Sequence, residues 1–153
     1  MTSPSVDAGG ETRARVMSAL ALSQAGELKA LWSQLDVDPE CELIRGPETG
    51  LIALRGRMGG GGSAFNFSEA TVTRATVRLG DGTVGHSIML GRDEQKTKLA
   101  AVIDAMASSE KWGAQIMQRI IEPLEASQAD RDAKLARETA ATKVDFFTMV
   151  RGD

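Results

Sequence analysis

Residues 45–92 read RGPETGLIALRGRMGGGGSAFNFSEATVTRATVRLGDGTVGHSIMLGR, and they are the most informative part of the sequence. Strand-like runs flank four consecutive glycines. The stretch contains six arginines and no lysine. Glycine lets a backbone approach a ligand or partner closely, and arginine is the fork-shaped donor for phosphate and carboxylate groups. A generic core explains the strands, but not the glycines and arginines together. The stretch therefore indicates a sheet that binds an anion or a partner.

Apolar periodicity predicts four strands in and around this stretch. Their predicted bounds are Cys41–Arg45, Leu51–Met58, Thr71–Leu79 and Val84–Leu90. A turn using Gly46, Pro47 and Gly50 joins the first two strands, and Gly80-Asp81-Gly82 is a hairpin signal between the last two. Because the connections are short, the sheet is predicted to be mainly an antiparallel meander.

Helices are predicted on both sides of the sheet segment. Their predicted bounds are 11–25, 27–35, 94–108 and a further helix from about residue 110. Gly26 is expected at the bend between the first two helices, Asp93 is a good N-cap, and Pro123 bends or ends the last helix. The predicted fold is α+β, with roughly four strands covered by N-terminal and C-terminal helices.

The ends of the chain differ in character from its middle. Residues 1–10 are predicted to be disordered, and residues 11–153 to form one domain. Within that domain, residues 125–143 are rich in Ala and charged side chains and predict a polar helical arm. Residues 144–153 follow as an extended apolar tail.

The apolar tail must dock somewhere, because burying each large apolar side chain contributes roughly 1.5–3 kcal/mol and leaving it in water invites aggregation. The tail residues expected to dock are Val144, Phe146, Phe147, Met149, Val150 and Arg151. The tail either returns to its own sheet or adds to the surface of a partner. Both alternatives fit the pattern, and self-association of the isolated chain is expected.

Composition narrows the class of protein. The chain has 153 residues, enough for a single core, and one cysteine, which excludes an internal disulfide. No apolar run reaches about 18 residues and no secretory signal is visible, so a cytoplasmic protein without a membrane segment is expected. The net charge of −3 argues against nonspecific nucleic-acid binding, and no nucleic-acid partner is expected. Residues 45–92 carry six arginines and three acids, a charge of +3, which leaves −6 for the rest.

Strand alternation places the arginines in two pairs. Arg55 and Arg57 share one face of their strand, as Arg74 and Arg78 share one face of theirs. If the apolar faces pack on the helices, the four guanidinium groups lie together on the outer face and hold an anion or an acidic partner. The alternative is a solvated face with scattered salt bridges, each worth about 0–1 kcal/mol.

The glycine run allows two interpretations. Gly59 and Gly60 begin a segment that is able to form a backbone nest for an anion. The segment lacks the Lys and Ser/Thr of a phosphate loop. The alternative is a flexible hairpin loop.

Candidate catalytic groups are few. His86 is the only histidine, and it alternates in phase with Val84, Ile88 and Leu90, so it is predicted to lie in the core or at an interface. Cys41 is predicted to be a small core residue. One histidine and one cysteine make no ordinary zinc site, and no nucleophile–base arrangement is evident. No catalytic residue and no metal ligand are assigned.

Several blocks together resemble a known family. These are Arg45 through Gly50, Arg57-Met58-Gly59-Gly60, Thr71-Val72-Thr73-Arg74, Gly91-Arg92-Asp93 and the ending Val144-Asp145-Phe146-Phe147-Thr148-Met149-Val150-Arg151-Gly152-Asp153. They resemble the PhnG subunits of bacterial carbon–phosphorus lyase, from about Glu11 to the last residue. The chain departs at Gly61 and Ala75, where Thr and Cys are common in the family.

The resemblance implies a role in organic phosphonate catabolism. It implies assembly with PhnH-, PhnI- and PhnJ-type subunits and the ATP-binding PhnL-type protein, and support for transfer of a phosphonate onto C1′ of ATP ribose with release of adenine. The product is a ribose 1-phosphonate 5-triphosphate. S-adenosylmethionine and an iron–sulfur cluster belong to the PhnJ-type subunit, and no cofactor is expected on this chain. The resemblance supplies no catalytic residue.

A second class of function stays open. The chain is alternatively a stand-alone enzyme that binds a phosphonate or a nucleotide, or a simple anion-binding module, using the Gly/Arg block 55–74.

Overall fold

The computed structural model describes residues 8–142 of the chain. The elements in chain order are α1 (Ala8–Leu22), α2 (Ala25–Leu35), β1 (Cys41–Arg57), β2 (Ala64–Leu79), β3 (Val84–Leu90), α3 (Glu94–Ser108), α4 (Gly113–Ile116), a π-helical turn (Met117–Ile121) and α5 (Glu122–Ala141). The predicted α+β class is confirmed. The predicted disorder of residues 1–7 and the predicted tail 144–153 lie outside the described residues, whereas residues 8–10 begin α1.

The sheet described in residues 8–142 has three antiparallel strands in the order β1-β2-β3, so the prediction of four strands was wrong. The segments predicted as the first two strands are one strand, β1, which passes through Gly46-Pro47 without turning back. Gly46 has a φ of 71°, and a Cβ on it would stand 2.4 Å from the carbonyl oxygen of Arg74. Register shifts on both sides of Arg45 absorb the irregularity as bulges.

The Gly80-Asp81-Gly82 hairpin between β2 and β3 is confirmed. Gly82 has a φ of 89°, and the Asp81 carboxylate accepts a hydrogen bond from the backbone N–H of Thr83 at 2.8 Å. That bond holds the pKa of Asp81 below its ordinary value.

One face of the sheet is covered by α3. The inward residues of β2 are Thr73, Ala75, Val77 and Leu79, all buried. The predicted bounds of α3 are confirmed, and Asp93 caps it by accepting from the N–H of Lys96 at 2.9 Å. Gly85 in β3 allows the closest approach, because a Cβ there would lie 2.0 Å from the carbonyl oxygen of Ala101.

A second layer of helices completes the core behind α3. Its fully buried side chains include Leu20, Leu28, Ile116, Ile120, Ile121 and Leu124. Gly26 lies inside α2 and not at the bend, so that prediction was wrong. The break falls at Ser23, where the Lys96 ammonium donates to the carbonyl oxygens of Ala21 and Ser23 at 3.2 and 2.6 Å.

Pro123 does not end the last helix. A π-helical turn precedes it, and α5 continues to Ala141. Proline offers no N–H, and a local π-bulge is one way for a helix to continue past such a residue. Residues 132–142 are all exposed, so the second half of α5 leaves the packed body.

Candidate functional site

Arg74 and Arg78 lie on the outer face of the sheet, on the side opposite α3. Both are exposed, while their neighbours on β2 point into the core. Arg74 pairs with Glu48 of β1 and Ile88 of β3. This outer face, made by β1, β2 and β3, is the first surface that the structure offers to a ligand or partner.

Glu48 joins two arginines on the outer face. Its Oε1 accepts from Arg74 Nε at 2.6 Å and from Arg45 Nε at 2.7 Å. The hydrogen bond from Arg74, reinforced by the one from Arg45, holds the pKa of Glu48 below its ordinary value. Arg74 is therefore partly neutralised within its own sheet, whereas Arg78 makes no ion pair with residues 8–142.

Arg55 and Arg57 lie elsewhere, near the tip of the β1–β2 hairpin. Arg55 pairs with Asn66, and Arg57 pairs with Ala64. At about 3.3 Å a step, the seven residue steps from Glu48 to Arg55 span about 23 Å along β1. The four guanidinium groups do not lie together, so the expectation of a single cluster was wrong. Alternation alone missed this because it reveals the face of a strand and not the distance along it.

The glycine run forms the hairpin tip. Met58–Gly60 make a short 3₁₀ turn in which Gly59 and Gly60 have φ values of 61° and 77°. The turn is closed by a backbone bond from Gly62 to Met58 O, and Arg57 donates to the carbonyl oxygen of Gly62 at 3.3 Å. The glycines thus serve the tight turn, and an additional role in anion binding stays a prediction.

His86 is exposed on the outer face of the sheet, which excludes the predicted core position, while the alternative position at an interface stays a prediction. Its ring Nδ1 is 3.1 Å from Thr76 Oγ1. The buried face of β3 is instead made of Gly85, Ser87 and Met89. Ser87 donates to the carbonyl oxygen of Thr97 at 2.6 Å and points away from the histidine.

Cys41 is exposed at the start of β1, so its predicted core position was also wrong. Among residues 8–142, no group of three or more His, Cys, Asp or Glu side chains is arranged to hold a metal ion. None of the helices that the structure describes is long and apolar enough to cross a membrane.

A buried carboxylate is the main feature that sequence reasoning missed. Asp104 of α3 is fully buried, and its Oδ2 accepts from Arg13 at 2.7 Å and from the backbone N–H of His86 at 2.9 Å. Its Oδ1 has no hydrogen-bond partner among the described residues. The only sequence signal was an acid inside the apolar helix segment AAVIDAMA. The contacts tie α1, α3 and β3 together.

Large apolar side chains are exposed on the outer face and on the hairpin. They are Leu51, Ile52, Met58, Phe65, Phe67, Val84, Ile88 and Leu90, with exposed fractions from 38 to 77%. Large apolar side chains exposed in this number on one sheet and its hairpin indicate an interaction site. The geometry thus favours binding of another protein.

Comparison with known proteins agrees with this interpretation. The family model described as "Phosphonate metabolism protein PhnG" matches residues 11–152. The chain is 48% identical over 147 residues to the alpha-D-ribose 1-methylphosphonate 5-triphosphate synthase subunit PhnG of Rhizobium meliloti (strain 1021). The alignment covers 96% of this chain and 94% of that relative.

Proposed function

The chain belongs to the PhnG family of phosphonate metabolism proteins, and on that premise we propose that it is a subunit of the complex that makes a ribose 1-phosphonate 5-triphosphate. The observation that carries this proposal is the 48% identity, along nearly all of both chains, to a relative named as a subunit of such a synthase. In this role the chain supports transfer of a phosphonate onto C1′ of ATP ribose with release of adenine.

The exposed surfaces support a subunit role over a self-contained catalyst. Two parts of the molecule leave the packed body, namely the tip half of the β1–β2 hairpin and residues 132–142 of α5. Both carry exposed apolar side chains, such as Phe67 on the hairpin and Leu135 on the helix. Such surfaces are stabilised when another protein covers them.

The partners we propose are PhnH-, PhnI- and PhnJ-type subunits and an ATP-binding PhnL-type protein, acting in the cytoplasm. ATP is a substrate of the complex. S-adenosylmethionine and an iron–sulfur cluster serve another subunit, and this chain binds no cofactor of its own. Arg74, Arg78, Gly59 and Gly60 are proposed to contact a partner or the acidic substrate.

Leaving this chain out of the reconstituted complex is expected to abolish adenine release. The complex is assembled from co-expressed subunits and given ATP and methylphosphonate, and adenine is quantified by liquid chromatography. Adding the purified chain back restores the activity if the subunit acts by completing the assembly.

Two results would contradict the subunit role. Unchanged adenine release without this chain would show that the synthase does not need it. Adenine release by the isolated chain, with ATP and methylphosphonate alone, would favour the stand-alone enzyme. Calorimetry with methylphosphonate tests the anion-binding module, which predicts saturable heat for the isolated chain.

We further propose that the apolar tail 144–153 docks on a neighbouring subunit. Deleting it is expected to remove the chain from the complex when all subunits are co-expressed and purified through a tag on a partner. A second variant replaces Phe146 and Phe147 with serine, which keeps the length of the tail but removes its largest apolar groups, and it is expected to be lost from the complex as well. Full stoichiometry of the truncated protein in the purified complex would rule the proposal out.

A further inference from the structure

Within residues 8–142, the tip half of the β1–β2 hairpin is a two-stranded ribbon with no third strand beside it. We call residues 51–70 the β-arm. In the described chain β3 pairs with β2 at Val72–Arg78, whereas β1 and β2 continue to pair as far as Arg57 and Ala64. Six residue steps from Leu51 to Arg57, at about 3.3 Å each, give the β-arm a length of about 20 Å.

Neither face of the β-arm is covered by the described part of the chain. Every one of its residues is exposed or half-buried. Phe65 is 45% exposed, Phe67 59% and Leu51 65%. A two-stranded ribbon is marginally stable in water unless another element packs on it, so its apolar side chains favour a bound state in which they are covered.

The β-arm is locally preorganised. The Phe67 ring lies over Gly56, since a Cβ on that glycine would be 3.1 Å from the ring edge. Phe65 stands edge-on to Phe67, with ring centroids 6.4 Å apart. An aromatic ring that covers a strand glycine helps to hold the pairing, and a preorganised element loses less entropy on binding.

The charge of the β-arm specifies the chemistry of its partner. It has two arginines, Arg55 and Arg57, and one acid, Glu69. The Arg55 guanidinium has no hydrogen-bond or ion-pair partner within residues 8–142, and the Arg57 guanidinium donates to a carbonyl of its own turn. Planar guanidinium groups beside apolar surface are suited to carboxylates at the rim of a protein interface.

A second copy of this chain fits the β-arm poorly. A two-fold contact between identical β-arms would bring Arg55 and Arg57 of one copy toward those of the other, which is repulsive. A contact in which the β-arm of one copy binds a different surface of the next copy would leave one β-arm and one binding surface unoccupied. Further copies would then add to the assembly unless it closed into a ring. A different polypeptide is the favoured occupant.

We propose that the β-arm inserts into a groove on a different subunit of the synthase. The groove has an apolar floor that receives Phe65, Phe67 and Ile52, and carboxylates at its rim that pair with Arg55 and Arg57. This inference rests on the proposed function, because it assigns a contact within that complex.

A shortened hairpin provides the first test. The N–H of Gly91 bonds to the carbonyl oxygen of Thr71, so Thr71 directs its backbone groups toward β3, and its neighbour Ala70 directs them toward Ile52 of β1. A two-residue Asn-Gly turn is therefore suited to joining Ile52 to Ala70 in place of residues 53–69. The variant is expected to retain the helical circular dichroism signal and to lose co-purification with tagged PhnH-, PhnI- and PhnJ-type subunits.

Point variants keep the test decisive if the shortened chain fails to fold. Phe65→Thr with Phe67→Thr, and separately Arg55→Glu with Arg57→Glu, are each expected to weaken binding to the immobilised partner subunits at least 10-fold. The matched controls are Leu22→Thr and Lys29→Glu, which change an exposed leucine and an exposed lysine on α1 and α2. Both controls are expected to bind like the wild type.

The outcomes separate this inference from the proposed function. If the wild-type chain assembles and the β-arm variants assemble with equal affinity, the β-arm contact is overturned while the subunit role stands. If the wild-type chain itself neither binds the partners nor is needed for adenine release, the proposed function fails. A photoreactive residue in place of Phe65 is expected to cross-link to a partner subunit, and cross-linking to a second copy of this chain would overturn the choice of occupant.

Discussion

Gly85→Ala is expected to destabilise the fold by about 3 kcal/mol, because the added methyl group has no space. Its Cβ would lie 2.0 Å from Ala101 O, 2.5 Å from Ala105 N and 2.7 Å from Ala105 Cβ. Two of these atoms belong to the backbone of α3, so relief requires the whole helix to move away from β3. For a chain of this size the loss corresponds to a lower melting temperature by roughly 6–12 °C.

The measurement is urea unfolding followed by circular dichroism, with Gly50→Ala as the matched control. Gly50 lies in β1 of the same sheet, is exposed, and has nothing within 4 Å of a built Cβ. Alanine there is expected to leave stability unchanged or to raise it slightly, since glycine is entropically unfavourable within a strand. Equal stability of Gly85→Ala and Gly50→Ala would show that α3 does not pack on β3 as closely as the structure indicates.

Local signals predicted the elements whose ends are determined by their own residues. The bounds of α3 follow from its apolar period and from Asp93, whose side chain caps the first turn. The β2–β3 hairpin follows from Gly80-Asp81-Gly82, where Gly82 provides the positive φ. In these places local chemistry and the final fold agree, so the sequence alone was sufficient.

The four-strand prediction failed because Gly46-Pro47 has the composition of a turn. What keeps β1 continuous is its partner, since Gly46 approaches the backbone of Arg74 and bulges take up the irregularity. Whether a glycine-proline pair forms a turn or a bulge depends on the neighbouring strand. That information is tertiary, and no local pattern contains it.

For β3 the alternation predicted an apolar face but left open whether that face lies in the core or at an interface. Val84, Ile88 and Leu90 alternate as a core face should, yet they are exposed, and the smaller Gly85 and Ser87 are inside. Because α3 approaches β3 closely at Gly85, the face of β3 that carries this glycine is the one that is buried. The more apolar face remains on the surface, where a partner in the proposed assembly would cover it. The alternation therefore revealed an apolar face, but it could not distinguish a core face from an interface.

The same absence of tertiary information hid the contact between Arg13 and Asp104, which are 91 residues apart. Their residue types are ordinary for helices, and nothing local distinguishes Arg13 from Arg15. Arg15 also pairs with a carboxylate, because it donates to both oxygens of Glu125 at 2.6 Å. The difference is burial, since Asp104 is fully buried and Glu125 is 34% exposed.

Arg13→Ala is therefore expected to destabilise the protein by about 2–3 kcal/mol. This is less than the roughly 3–5 kcal/mol that removing one partner of a fully buried pair causes, because the Arg13 side chain is 40% exposed. The loss arises because the Asp104 carboxylate stays buried with only the backbone N–H of His86 as a donor. Arg15→Ala is the matched control on the same helix, and its effect is expected to be much smaller because water replaces the lost partner of Glu125.

A double-mutant cycle identifies the buried charge as the cause. Asp104→Asn is expected to destabilise the Arg13→Ala protein less than it destabilises the wild type, because it removes the charge that the first substitution leaves uncompensated. Urea unfolding of the four proteins at pH 7 gives the coupling free energy. Strictly additive losses, or equal losses for Arg13→Ala and Arg15→Ala, would contradict a charge-paired link between α1 and α3. A positive coupling would instead establish that the Asp104 carboxylate, which also accepts from the backbone N–H of His86, is an energetic link between α1, α3 and β3.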